Sequence, residues 1–168
     1  VHRLDKDTSG VMVVAKNEPA RLDLARQFEV HSVAKTYQAL IKGQLTPESG
    51  IIEAPIGRDP RNRKRMAVVT EGRPARTQYD VVCYIDNYTL LEVRTETGRT
   101  HQIRVHLAAI GYPVVGDTTY GTKSDLLSRQ FLHACRLGFT LPSNGKYVEF
   151  ISDLPSDLAK ALETLNRD

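Results

Sequence analysis

The chain has 168 residues, 40% of them hydrophobic and 26% charged, with a formal net charge of +3. That length suits one domain spanning residues 1–168, burying roughly two-thirds of its unfolded surface without needing a disulfide or a structural metal. The balance excludes a disordered chain, and no apolar run approaches the roughly 20 residues that cross a bilayer, so a cytoplasmic protein with no membrane partner is expected.

The chain opens on a charged, turn-forming cluster, His2-Arg3-Leu4-Asp5-Lys6-Asp7-Thr8-Ser9-Gly10. Glycine then leads into an apolar run at residues 11–15, which reads as a buried strand. Asn17 is placed to cap a helix with Pro19 in its first turn, and Leu22, Ala25 and Phe28 recur at three-residue spacing, which predicts a helix over 18–30. KTYQALI, residues 35–41, alternates as a strand does, and Gly43, Pro47 and Gly50 mark turns after it.

Residues 58–76 carry seven basic side chains (Arg58, Arg61, Arg63, Lys64, Arg65, Arg73 and Arg76) against Asp59 and Glu71. A surplus of positive charge in one stretch favours a polyanionic partner, with a solvated basic loop as the plain alternative. Pro60 and Pro74 argue for a loop or loose hairpin. Residues 77–85 and 89–95 read as antiparallel strands joined through Asp86-Asn87. Thr100 is placed to cap a helix running to Gly111, with Ile103, Leu107 and Ile110 on one face and His101, Arg104 and Ala108 on another. Residues 132–141 and 147–151 suggest further strands. Ser156 is placed to cap a last helix striped by Leu158, Leu162 and Leu165. Many strands with three unevenly placed helices make an α+β pattern on a mainly antiparallel sheet. Cys83 and Cys135, each beside apolar neighbours, read as buried free thiols.

Two clusters bear chemistry. The first is the opening loop, where several ionisable groups stand at the edge of a sheet, a common place for catalytic side chains. Its aspartates also suit simple turn capping. The second is Gly98-Arg99-Thr100-His101-Gln102-Ile103-Arg104-Val105-His106. Arg104, carried into the structure by an apolar-faced helix, must meet a counter-charge, because an unpaired buried guanidinium is costly. That partner is either Asp5 or any nearby carboxylate. His101 and His106 stand five apart, not the i, i+4 spacing of helical metal ligands. Asp5 and Asp7 give no reason to expect the separation of a glycosidase pair, and no GxSxG elbow is present. A metal-dependent hydrolase built on His101, His106 and His133 stays open as an alternative.

HRLDKDTSG, KTYQAL, TGRTHQIRVHLAAIGYPVVGDTTYG and the later Leu132-His133-Ala134 together resemble the RluA family of RNA pseudouridine synthases, in order and over nearly the whole chain. APIGRDPRNRKRMAV, residues 54–68, is similar to the RluD-type branch that modifies large-subunit ribosomal RNA. The resemblance implies an α+β catalytic fold on a bent, mixed but mostly antiparallel sheet with a central cleft. It implies isomerisation of uridine in RNA without cofactor or metal. Asp5 matches the family's nucleophile, Tyr37 its active-site tyrosine, and Arg104 the arginine paired with the aspartate. Arg104 would favour the ionised form of Asp5, and Tyr37 would offer a flat face for uracil and a hydroxyl for proton transfer. For RNA contacts the expected residues are Arg3, Arg58, Arg63, Lys64, Arg65, Arg99 and His101. A monomer is expected. A non-catalytic RNA-binding module of the same fold is the competing outcome. Family members carry a strand-forming segment ahead of HRLD, and many an S4-type RNA-binding domain; neither is in this sequence, so a longer parent protein is expected.

Overall fold

The computed structural model describes residues 1–166. Its elements are β1 (Ser9–Gly10), α1 (Glu18–Glu29), β2 (Ala34–Lys42), β3 (Ser49–Glu53), β4 (Ile56–Arg58), β5 (Met66–Val68), β6 (Arg76–Ile85), β7 (Tyr88–Thr95), α2 (Gln102–Ala109), β8 (Leu132–Thr140), β9 (Tyr147–Ile151) and α3 (Ser156–Leu165). Seven strands make one sheet in the order β1-β8-β2-β7-β6-β3, with β9 also on β8, while β4 and β5 form a separate hairpin. Every pair in the large sheet is antiparallel except β1 with β8. The α+β, mixed and mainly antiparallel expectation holds.

β2 lies at the centre of the sheet, between β8 and β7. Both of its faces are covered, so Ala39, Leu40 and Ile41 are all fully buried where simple alternation would have left the middle one outside. Around them pack Leu91 and Val93 of β7, Ile103 and Leu107 of α2, Phe131, and Leu158 and Ala161 of α3. Leu162 and Leu165 complete the predicted stripe from the rim. Truncating a fully buried leucine such as Leu107 or Leu158 to alanine costs about 2–5 kcal/mol.

The expected strand at residues 11–15 does not form. β1 ends at Gly10, although the Val11 amide still donates to the Ala134 carbonyl at 2.9 Å. The reason lies in β8. Its outer edge pairs with β1 only at His133 and Ala134, and from Arg136 onward that edge belongs to β9. Val11, Val13 and Ala15 instead pack on the cluster of Leu24, Val33, Leu137 and Phe139, while Met12 and Val14 face outward. Burial alternates as in a strand without a ladder to join.

Helix starts also differ in detail. Asn17 caps α1 as expected, accepting from the Ala20 amide at 3.0 Å. Thr100 does not cap α2; the first helical bond runs from the Val105 amide to the His101 carbonyl, and His101 is the cap residue, in the left-handed region at φ 56°. Ser156 does not cap α3 either, because the Pro155 carbonyl receives the first bond, from Ala159, and the helix begins one residue earlier. Ile110 ends up partly exposed just past α2. Both cysteines are free, but Cys83 is exposed on β6 and Cys135 half-buried, against the expectation that both are buried.

Candidate active site

The opening loop is fastened to the sheet from one downstream segment. Its turn is closed by the Thr8 amide donating to the Asp5 carbonyl at 3.0 Å, and Asp7 sits at φ 69°, where a non-glycine residue must be held in place. Arg129 Nη1 donates to the Asp7 carbonyl at 2.9 Å and its Nη2 to Ser9 Oγ at 3.3 Å, while Asp157 of α3 clamps the same guanidinium through two bonds. Gln130 Nε2 donates to the Lys6 carbonyl at 2.8 Å and to Thr8 Oγ1 at 3.2 Å. His133 Nε2 donates to the Ser152 carbonyl at 2.9 Å, so its Nδ1 accepts from Ser9 Oγ, also at 2.9 Å. Gly10 closes the loop at φ 126° against β8, so closely that a Cβ there would meet the Ala134 backbone.

Arg104 meets two carboxylates. Its Nε and Nη2 form a fork on Asp117, at 2.6 and 3.0 Å, and its Nη1 reaches Asp5 Oδ2 at 3.3 Å. Asp117 also accepts the Thr119 amide at 2.9 Å and the Tyr120 amide at 3.2 Å. Burial alone would raise the Asp117 carboxyl, but the Arg104 bonds and charge, with those two amides, hold it below the ordinary carboxylate range. The Asp117 side chain is 1% exposed and the Asp5 side chain 18%. That difference assigns their roles: Asp117 anchors the guanidinium, and Asp5 is the acid a ligand can reach. Asp117 was not foreseen as a partner.

Tyr37 stands across β8 from the loop. Ala134 pairs with Gly10 on one side and with Tyr37 on the other. The β2–β8 register slips between Thr36 and Tyr37, where Cys135 is the extra residue, and such a bulge re-aims a side chain. Burial, then the charge of Asp5, pushes the Tyr37 hydroxyl up to about 12, with the Thr95 side chain opposing. It therefore stays protonated at neutral pH. Asp5, Tyr37, Arg3, Leu4, Arg99 and Leu132 line one cleft of about 100 Å³. Arg3, Tyr37 and Arg99 also border a wider groove of about 760 Å³ that includes Lys35 and Arg73.

The three histidines of the metal alternative do not converge. His106 is buried on α2, with Nε2 donating to the Ala54 carbonyl and Nδ1 accepting from the Thr77 hydroxyl, both at 2.9 Å. Burial lowers its pKa, and it serves as a neutral structural group. His133 is spent on Ser9 and Ser152, as above. His101 Nδ1 lies 2.7 Å from the Tyr120 hydroxyl, and its pKa is lowered first by burial, against the pull of Asp5. Among the described residues no group of three possible ligands gathers.

The expected RNA-contacting residues divide into two places. Arg3 and Arg99 border the cleft, with Arg99 Nε bound to the Pro74 carbonyl at 2.9 Å. Arg58, Arg63 and Lys64 are exposed in and beside the β4–β5 hairpin, and Arg65 folds back so that its guanidinium lies 5.0 Å from the centre of the Tyr120 ring. Beyond Asp117, sequence reasoning missed Arg129, Gln130 and Tyr120. The quoted GDTTYG string holds two of these four, the only signal available for them.

Asp5, paired with Arg104, thus opens onto a cleft over a mainly antiparallel sheet. The solved structure titled Human RNA Pseudouridylate Synthase Domain Containing 1 superposes with a TM-score of 0.79 at 31% identity, covering 99% of this chain and 79% of that one. A family model described as RNA pseudouridylate synthase matches residues 1–109, and the chain belongs to that family. It is 54% identical over 167 residues to an uncharacterized RNA pseudouridine synthase of Chloroflexus aurantiacus, covering 98% of this chain and 52% of the relative. It is 48% identical over 174 residues to the ribosomal large subunit pseudouridine synthase D of Nitrosomonas europaea, covering 98% and 50%. The chain thus spans about half the length of the curated relatives it matches. No described helix is long and apolar enough to cross a membrane.

Proposed function

We propose that this chain is the catalytic domain of an enzyme that isomerises uridine to pseudouridine in large-subunit ribosomal RNA, with Asp5 as nucleophile. The observation that carries the reading is the shared guanidinium. Arg104 is fixed by a buried acid, Asp117, and turns its remaining edge to a second, reachable acid at the cleft floor. A guanidinium already neutralised by Asp117 orients Asp5 without committing it, as one 3.3 Å contact against two shorter bonds indicates. The name of the Nitrosomonas europaea relative supports ribosomal RNA as substrate.

The reaction breaks the bond from ribose C1′ to N1 and forms one from C1′ to C5; the C5 proton leaves and N1 takes one up. Product and substrate are isomers, so the atoms balance without a donor or an oxidant. Tyr37, protonated, offers a hydrogen-bond donor and a flat wall for the detached base. Arg3 and Arg99 stand at the rim where the phosphates on either side of the flipped nucleotide would pass.

The test incubates the full-length protein with unmodified large-subunit ribosomal RNA and maps pseudouridine. Asp5→Asn is expected to lower the single-turnover rate by at least about 1000-fold, as for loss of a nucleophile, while RNA still binds. Equal yield from wild type and variant would end the nucleophile assignment. Binding without product from either protein would instead mark a non-catalytic module.

A further inference from the structure

We infer that Tyr120 is a positioning residue that registers the basic hairpin against the Asp5–Arg104 pair, an inference that rests on the function proposed above. One side chain touches every part of that arrangement. Its hydroxyl accepts the Met66 amide of β5 at 3.0 Å and meets His101 Nδ1 at 2.7 Å. The hydroxyl thus bonds β5 and the His101 ring at once. His101 is the residue from which α2 departs, and Arg104 follows three positions later.

The ring of Tyr120 lies near two guanidinia, with Arg104 at 5.1 Å and Arg65 at 5.0 Å from its centre. Two like charges near one ring repel across it, and the ring's electron-rich face offsets part of that repulsion. Arg104 has its acids. Arg65 Nε is buried with no hydrogen-bond acceptor, so stacking rather than an ion pair keeps this arginine in place. The Tyr120 amide completes the set by donating to Asp117, the anchor of Arg104. A tyrosine that only filled space would need no polar contact from its side chain; this one connects β5, the α2 start and the Asp117 turn through three hydrogen bonds, two of them from its hydroxyl.

The consequence is mechanical. RNA gripped by the hairpin and the acid that attacks it must agree in position within a fraction of an ångström, and Tyr120 is the shared reference. Tyr120→Phe keeps the ring and removes both hydroxyl bonds; Tyr120→Leu removes the stack as well. In the full-length protein, on a fragment spanning the mapped uridine, Tyr120→Phe is expected to lower the single-turnover rate about tenfold, with the RNA Kd within about twofold. Tyr120→Leu is expected to lower it about 100-fold. An unchanged rate for Tyr120→Phe, or a loss of affinity at unchanged rate, would overturn the inference; if Tyr120→Leu does not fold, Tyr120→Phe decides.

A second readout needs no activity. In protein labelled uniformly with nitrogen-15, Tyr120→Phe should shift the His101 ring nitrogens and the Met66 amide while the His106 and His133 ring signals stay fixed. Unchanged His101 and Met66 signals would overturn the inference whether or not wild type modifies RNA. Absence of pseudouridine with wild type would count against the proposed function alone.

Discussion

The opening loop and the β4–β5 hairpin are both polar, exposed in part and rich in charge, yet they are held in opposite ways. The loop is bonded to Arg129, Gln130 and His133, three side chains that lie more than a hundred residues downstream. The hairpin tip is tied mostly to itself: Asp59 accepts from the Arg61 and Asn62 amides, Asn62 from the Lys64 amide, and Arg58 donates to the Arg63 carbonyl. Its base is firmer, since Ile56 is buried and exchanges two backbone bonds with Arg73. Under the proposed function the loop's acid must attack one atom and needs fixed geometry, whereas the hairpin's cations must collect phosphates and need reach. The same amino acids serve either purpose according to who holds them.

The sharpest way to break that contrast is to loosen the rigid side. Asp117→Asn leaves the buried Arg104 guanidinium with Asp5, at the longer distance, as its sole carboxylate and should cost about 3–5 kcal/mol in urea unfolding. Because the Asp117 pKa is lower in the folded protein than the ordinary 3.8, its contribution is complete above that value and fades as pH falls through the folded one. Wild type should therefore lose this part of its stability only below about pH 4, and the asparagine variant should lack that acid-sensitive step. A smaller effect is expected from Arg129→Met, which withdraws the donors to Asp7 and Ser9 while α3 keeps its apolar stripe. About 1–2 kcal/mol of stability should go, with about a tenfold fall in single-turnover rate and little change in RNA affinity. The smallest effect on the fold comes from the hairpin. Arg63→Ala with Lys64→Ala should alter stability by under about 0.5 kcal/mol, yet flatten the log–log salt dependence of RNA binding by roughly 0.7–0.9 per lost phosphate contact. A salt slope equal to wild type would remove the hairpin from the RNA path.

Much of the fold was legible because its signals are local. The KTYQALI strand, the Asp86-Asn87 turn and the Asn17 cap each report their own neighbourhood, and each appears where expected. The meeting of Asp5 with Arg104 was legible only through family resemblance, since 99 residues separate them. What stayed hidden depends on who occupies an edge or a lone pair. Asp117, beside Gly116, reads as an ordinary turn residue, and nothing local says that its carboxylate takes a guanidinium. Residues 11–15 have the composition of a strand, and only the arrival of β9 on β8 denies them a ladder. The α2 start lies one residue later than expected, and Gln102, which the sequence assigned no role, turns back to accept from the Arg99 amide and the Thr97 hydroxyl.

The dependence of the first loop on β8 bears on how the protein comes into being. As the chain leaves the ribosome, Asp5 emerges more than a hundred residues ahead of the groups that give its loop a shape, Arg129 to Ala134. Closing a contact over so long a span is entropically late. A nascent polypeptide beside the very class of RNA it is proposed to alter thus carries no formed nucleophile until that downstream segment has been made.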